Sequence, residues 1–95
     1  MAAKATYTPV RLAAAGNIRA AAGNLTSLVV NNPTGGALTV IINDAITSTT
    51  GEVFQVTVPT NDVRQLNFNP PWPFATGIRC GTLGAGLIVT GSFVD

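Results

Sequence analysis

The sequence contains no histidine, and only 9% of its 95 residues are charged, against roughly 25% in an ordinary soluble domain. Without an imidazole there is no Ser–His or Cys–His catalytic pair and no zinc site of the usual kind. Five basic side chains neutralise few phosphates, so a dedicated nucleic-acid binder is not expected. We therefore predict a chain without a cofactor and without a nucleic-acid partner.

Cysteines and long apolar runs are equally scarce. Cys80 is the single cysteine, so no internal disulfide is possible. The longest apolar runs, such as 28–30 and 40–42, are far shorter than the ~20 residues that span a bilayer. No membrane partner is expected, and a lone thiol agrees with synthesis in a reducing cytoplasm.

What the chain does have is a large apolar fraction, 46%, in a small domain. Domains of this size have little net stability from their core, and they usually add disulfides, metals or oligomerisation. A single cysteine excludes an internal disulfide, and the sequence has no dense cluster of metal ligands. Self-association is therefore the remaining source of added stability. The shortage of charge fits this conclusion, because a monomer with so few surface charges would be poorly soluble.

Short apolar segments with turn signals every 8–12 residues predict six β-strands from residue 24 onward: 24–32, 37–43, 52–58, 62–67, 75–82 and 87–94. The first two are expected to pair as a hairpin about the turn at 31–36. Segment 69–74 contains three prolines and is expected to resist both helix and ladder pairing.

The first 23 residues are rich in alanine, but Gly-Asn pairs interrupt any helical run. We predict an arm or edge strand at 6–12 and a short strand at 18–22, with a short helix at 10–15 as the alternative. The fold class is then all-β, an antiparallel β-sandwich of seven to eight short strands, jelly-roll-like, with an extended N-terminal arm. Residues 1–12 form the arm or edge strand, and 13–95 form the single sandwich domain.

Catalytic chemistry has few candidates. Asp44 and Glu52 flank one loop and could meet as a carboxylate pair, but a small sandwich offers little room for a cleft. We favour two solvated loop charges. Cys80 alternates with Arg79 in a strand, which favours a small buried hydrophobe over a reactive thiolate.

The candidate contact residues fall into three groups. Ile41, Val53 and Ile88 are predicted on the outer faces of their strands, where another subunit could bury them. Trp72 and Phe74 in the proline segment could contact a partner protein, form a platform for sugars, or fold back as a lid on the sandwich. In the N-terminal arm, Lys4, Tyr7 and Arg11 could become ordered on binding or belong to a disordered tail.

The runs GNLTSLVVNN (23–32) and LTVIIND (38–44), with ATGIRC (75–80) and LIVTG (87–91), resemble the small jelly-roll head decoration, or cement, proteins of tailed bacteriophages. The resemblance covers roughly residues 10–94 and lies in the pattern of strands and turns. The bulky loop at 70–74 departs from the short polar turn expected there.

This resemblance implies a non-enzymatic structural protein of the virion. It would bind the major capsid protein on the outer surface of an icosahedral capsid as a homotrimer and stabilise the shell. Residues 6–11 would be an arm that reaches a neighbouring subunit, and synthesis would take place in the bacterial host cytoplasm. The alternative is a small β-sandwich binding module, such as a fibre domain or a glycan-binding domain.

Overall fold

The computed structural model describes residues 8–94, which form eight β-strands and no helix. The strands are β1 (Thr8–Leu12), β2 (Gly16–Arg19), β3 (Gly23–Asn32), β4 (Leu38–Asp44), β5 (Glu52–Val58), β6 (Asp62–Phe74), β7 (Ile78–Leu83) and β8 (Ile88–Val94). They make two antiparallel four-stranded sheets, the first ordered β1-β8-β3-β6 and the second β2-β7-β4-β5. The predicted all-β sandwich is confirmed, and the alternative helix at 10–15 is wrong.

The core lies between the two sheets and follows from the period-two alternation of each strand. From the first sheet, Leu28, Val30 and Val89 are fully buried, and from the second sheet Val40 and Ile42 are fully buried. Their sequence neighbours point to the outer faces and, apart from Asn43, are less buried. Each sheet therefore has one face committed to the core and one face available for other roles.

The predicted hairpin between segments 24–32 and 37–43 is wrong, because β3 and β4 belong to different sheets. The cause is Asn32, which is fully buried. Its Nδ2 donates to the carbonyl oxygens of Gly36 at 2.8 Å and Val58 at 2.9 Å, and its Oδ1 accepts from the Thr34 amide at 3.0 Å. These bonds turn the chain across the sandwich, where β4 pairs with β5.

The prediction that the proline segment resists ladder pairing is also wrong. This segment forms the second half of β6, in which Trp72 pairs with Leu25, whereas Asn67 pairs with Ser27. Thr26 alone therefore opposes the four residues 68–71, which form a large bulge in β6. The Asn69–Pro70 peptide bond within this bulge is cis. Pairing is possible because β6 is an edge strand, where a missing amide donor leaves no neighbour unsatisfied.

Gly77, just before β7, lies where three segments of backbone converge. A Cβ at this position would lie 2.6 Å from the carbonyl oxygen of Ala45 and 3.1 Å from that of Arg19. The Gly77 carbonyl also accepts a hydrogen bond from the Ala45 amide at 3.2 Å. The backbone oxygens cannot move away without breaking this contact, so only glycine fits.

We predict that Gly77→Ala lowers the free energy of unfolding by about 1–3 kcal/mol, because a methyl group is forced against two backbone oxygens. The control is Gly35→Ala, where a Cβ would meet no atom within 4 Å. That control should change stability by less than about 1 kcal/mol. Urea unfolding followed by circular dichroism measures both, and equal stabilities of the two variants would contradict the steric argument.

Candidate interaction surface

The outer face of the first sheet is formed by the strands themselves. Residues directly opposite each other in an antiparallel pair share a face. The face consists of three rows of paired residues: Ser27 with Ser92 and Asn67; Val29 with Thr90 and Gln65; Asn31 with Ile88 and Val63. None of these nine side chains is charged. Strand β1 extends the face with Pro9 and the exposed Arg11.

The outer face of the second sheet is partly covered by residues 45–51 of the same chain. Asn43 is only 1% exposed there, because its Nδ2 donates to the carbonyl oxygens of Thr49 at 3.0 Å and Thr50 at 3.2 Å. Beside it, Nη1 of Arg79 donates to the Ile46 carbonyl oxygen at 3.1 Å. A partner that docks on this sheet meets a loop, whereas on the first sheet it meets the strands themselves.

The three predicted outer residues have different fates. Ile41 and Ile88 are half-buried and lie outside the core cluster. The outward position of Val53 is wrong, since Val53 packs against the core of its own chain. Asn43 pairs with Glu52 and Ile42 with Phe54, so Val53 is the extra residue of a β-bulge and breaks the expected alternation.

The two aromatic residues of the proline segment separate. Phe74 is only 3% exposed and belongs to the core, so its predicted display to a partner is wrong. Trp72 is 38% exposed. It stacks on Phe54 with ring centroids 5.1 Å apart and meets Phe68 edge-on at 5.5 Å.

Phe54, Phe68 and Trp72 form an aromatic cluster that bridges the two sheets. Phe54 lies on β5, the edge of the second sheet, and the other two rings lie on β6, the edge of the first. Phe68 and Phe54 complete the cluster with centroids 5.8 Å apart. The rings thus close one open side of the sandwich. For Trp72 this arrangement resembles the predicted alternative in which the aromatic residues fold back as a lid.

Of the arm residues, Arg11 is exposed on β1, whereas Lys4 and Tyr7 lie outside the described residues. Two exposed apolar side chains were missed, Val63 at 51% and Ile46 at 37% exposure. The exposure of Val63 could have been predicted. It lies three positions before the inward-facing Leu66, so strand alternation places it on the outer face. Ile46 lies in a Thr/Ser-rich loop, where no periodicity indicates which way a side chain points.

Asp44 is a structural cap rather than a solvated loop charge. Its carboxylate accepts backbone hydrogen bonds from Ala75 at 3.0 Å, Thr76 at 2.8 Å and Gly77 at 3.2 Å. It thereby fixes the turn between β6 and β7, while Glu52 is exposed at the start of β5. Within residues 8–94, no three His, Cys, Asp or Glu side chains gather as a group that could hold a metal ion.

Cys80 is fully buried in the core. Burial raises the pKa of its thiol to about 12, and the nearby Arg79 charge lowers it by less than burial raises it. The group is therefore a neutral thiol at physiological pH, and it packs as a small apolar side chain.

Comparison with known proteins gives no match to any family model, any curated protein or any solved structure. In the described part of the chain, no helix is long and apolar enough to cross a membrane.

The Asp44 cap predicts a specific loss of stability in acid. Burial raises the pKa of the carboxyl group, but the three backbone donors together lower it by more than burial raises it. The folded-state pKa therefore lies below the usual 3.8. The stabilisation is therefore complete well above pH 3.8 and is lost as the pH falls below that value through the folded-state pKa.

Asp44→Asn should lower stability at neutral pH by about 1–3 kcal/mol and flatten the decline in acid, because the amide has one acceptor oxygen for three donors. Urea titrations at a series of acidic and neutral pH values measure this. Glu52→Gln, the same carboxyl-to-amide change on the strand paired with β4, controls for the removal of one charge. An unchanged acid profile in Asp44→Asn would rule out the cap as its source.

Proposed function

We propose that this chain is a structural protein of a phage virion that binds the outside of an icosahedral capsid as a trimer and stabilises the shell. The resemblance of the runs 23–32, 38–44, 75–80 and 87–91 to head decoration proteins supports this proposal. The observation that carries it is the outer face of the first sheet, with three rows of paired residues and no charged side chain among them.

A face of this kind suits permanent contact with another protein. Val63 is 51% exposed, and it lies in the same row as Ile88, on the other side of Asn31. Interface centres are depleted of charged residues, because a buried charge must lose its water. Covering the nine residues of these three rows costs no charge desolvation, and burying their apolar atoms yields about 25 cal/mol per Å².

The edges of the same sheet offer two different contacts. Arg11 lies on β1 at one edge, and Trp72 lies on β6 at the other. Both residue types are frequent at the energetic centre of interfaces. A closed ring of three subunits requires two different patches that meet head to tail, and these two edges supply them.

Stabilisation of the shell would follow from mass action. A protein that binds assembled capsid and not free capsid subunits shifts the equilibrium towards the assembled state. At a free concentration of 100 times Kd, the gain is about 2.7 kcal/mol for each site. Many copies on one shell add these small gains, so no catalytic group is needed.

The proposal is tested on particles of the phage that encodes this chain, with the gene intact or deleted. Deletion should lower the temperature at which the particles release DNA, and addition of the purified protein should restore it. Light scattering of the purified protein should give three times the chain mass. Equal heat survival of the two kinds of particle would exclude the stabilising role.

The contact face is tested by the double variant Val63→Lys and Ile88→Lys. It places two charges on the outer face of the first sheet, in the row that contains Asn31. Binding of the variant to particles that lack this protein should weaken by at least about tenfold, a change of ~1.4 kcal/mol. The matched control is Gln55→Lys together with Thr82→Lys, which flanks Ile41 on the second sheet in the same way. An equal loss in both variants would remove the first sheet as the contact face.

A further inference from the structure

The bulge between β3 and β6 opens a recess on the outer face of the first sheet. The recess has a volume of about 470 Å³. This volume is within the range of small-molecule sites, about 300–1,000 Å³. Its walls come from three strands: Thr26 and Ser27 of β3, Phe68, Asn69 and Pro71 of β6, and Ser92 of β8.

Three hydroxyl groups in this recess form a directed chain of hydrogen bonds. Thr26 Oγ1 donates to the Ser92 carbonyl oxygen at 2.9 Å. Each hydroxyl has one proton, so Ser92 Oγ must be the donor to Thr26 Oγ1 at 2.6 Å, and Ser27 Oγ the donor to Ser92 Oγ at 2.7 Å. All three protons are used within the protein, and the free lone pairs accept hydrogen bonds from a ligand.

Two of the lining residues, Phe68 and Pro71, are apolar. Asn69 lies between them in sequence, and its amide supplies one further donor and acceptor group. No lining residue is charged. An anion or a cation would lose its hydration here without gaining a counter-charge, so the recess favours a neutral ligand.

We propose that this recess binds a neutral carbohydrate, a single pyranose unit or the end of a longer glycan. A pyranose has hydroxyl groups that donate to the Ser27 and Ser92 oxygens, and an apolar C–H face that packs against the Phe68 ring. The site lies at the end of the outer face, and Ser27 and Ser92 also belong to one row of the contact face proposed above. A shell that covers this row would exclude the sugar, so the site is tested on the free protein. Its failure would leave the other two rows, and with them the structural role, intact.

The single tryptophan reports on this site. Trp72 is not among the lining residues, but its ring meets the Phe68 ring edge-on at 5.5 Å. A sugar that packs on Phe68 changes the surroundings of the indole. Tryptophan fluorescence and the backbone amide signals of the recess are two independent readouts of the same event.

The free protein, labelled with ¹⁵N, is titrated by NMR with glucose, galactose, mannose and N-acetylglucosamine. Glucuronate and inorganic phosphate are the charged comparisons. At least one neutral sugar should shift the amide signals of Thr26, Ser27, Asn69 and Ser92, with a concordant change in Trp72 fluorescence. The weak, uncharged contacts set the expected Kd on the order of 1 mM.

Ser27→Val removes the hydroxyl at the end of the chain, whose free lone pairs would accept a hydrogen bond from the sugar. It should weaken sugar binding by about tenfold. Asn69→Ala, at an exposed position, should weaken it similarly and provides a second variant if Ser27→Val does not fold. Thr57→Val is the control, because it breaks the comparable Thr39–Thr57 hydroxyl pair (2.9 Å) on the second sheet. It should bind sugar as the unmodified protein does.

Three results would overturn the assignment. The first is the absence of shifts with every neutral sugar at tens of millimolar. The second is a response to glucuronate or phosphate alone, which would indicate a charged ligand. The third is sugar-dependent shifts that persist in both Ser27→Val and Asn69→Ala, which would place the sugar elsewhere on the protein.

Discussion

Two four-stranded sheets exclude water from a chain of this length only if their inner faces are apolar along every strand. Leu28, Val30, Val40 and Ile42 meet this requirement, and all are fully buried. The open side between the β5 and β6 edges needs a different solution, which is the cluster of Phe54, Phe68 and Trp72. Once these positions are committed to stability, function is left to the outer faces and the turns.

Period-two alternation was enough to predict the sandwich and, to within one residue, the bounds of four strands, β3, β4, β5 and β8. Strand β5 begins and ends at the predicted residues, and β3 differs by one residue. The errors occur where single side chains override the pattern. Asn32 sends β4 to the opposite sheet through buried hydrogen bonds, and a bulge turns Val53 inward. Such effects depend on contacts between distant segments, which a local pattern does not contain.

The uncharged outer face of the first sheet was predictable in kind but not in place. Scarce charge and the outward Ile88 indicated an outer face with apolar side chains, and alternation from Leu66 also marks Val63. The recess was not predictable, because it depends on Thr26 opposing four residues of β6 and on Ser92 arriving from the far end of the chain. Trp72 and Phe74 pair with Leu25 and Gly23 and so share a face of β6, yet only Phe74 is buried in the core. Alternation alone could not separate them.

The prolines of β6 have a consequence for crowded molecules. Pro70, Pro71 and Pro73 have no amide hydrogen, so this stretch of the sheet edge cannot template a further strand from a neighbouring copy. Copies of this chain at high concentration can then touch here through side chains without fusing into continuous β-structure. Growth of a fibre through this stretch of the β6 edge is blocked.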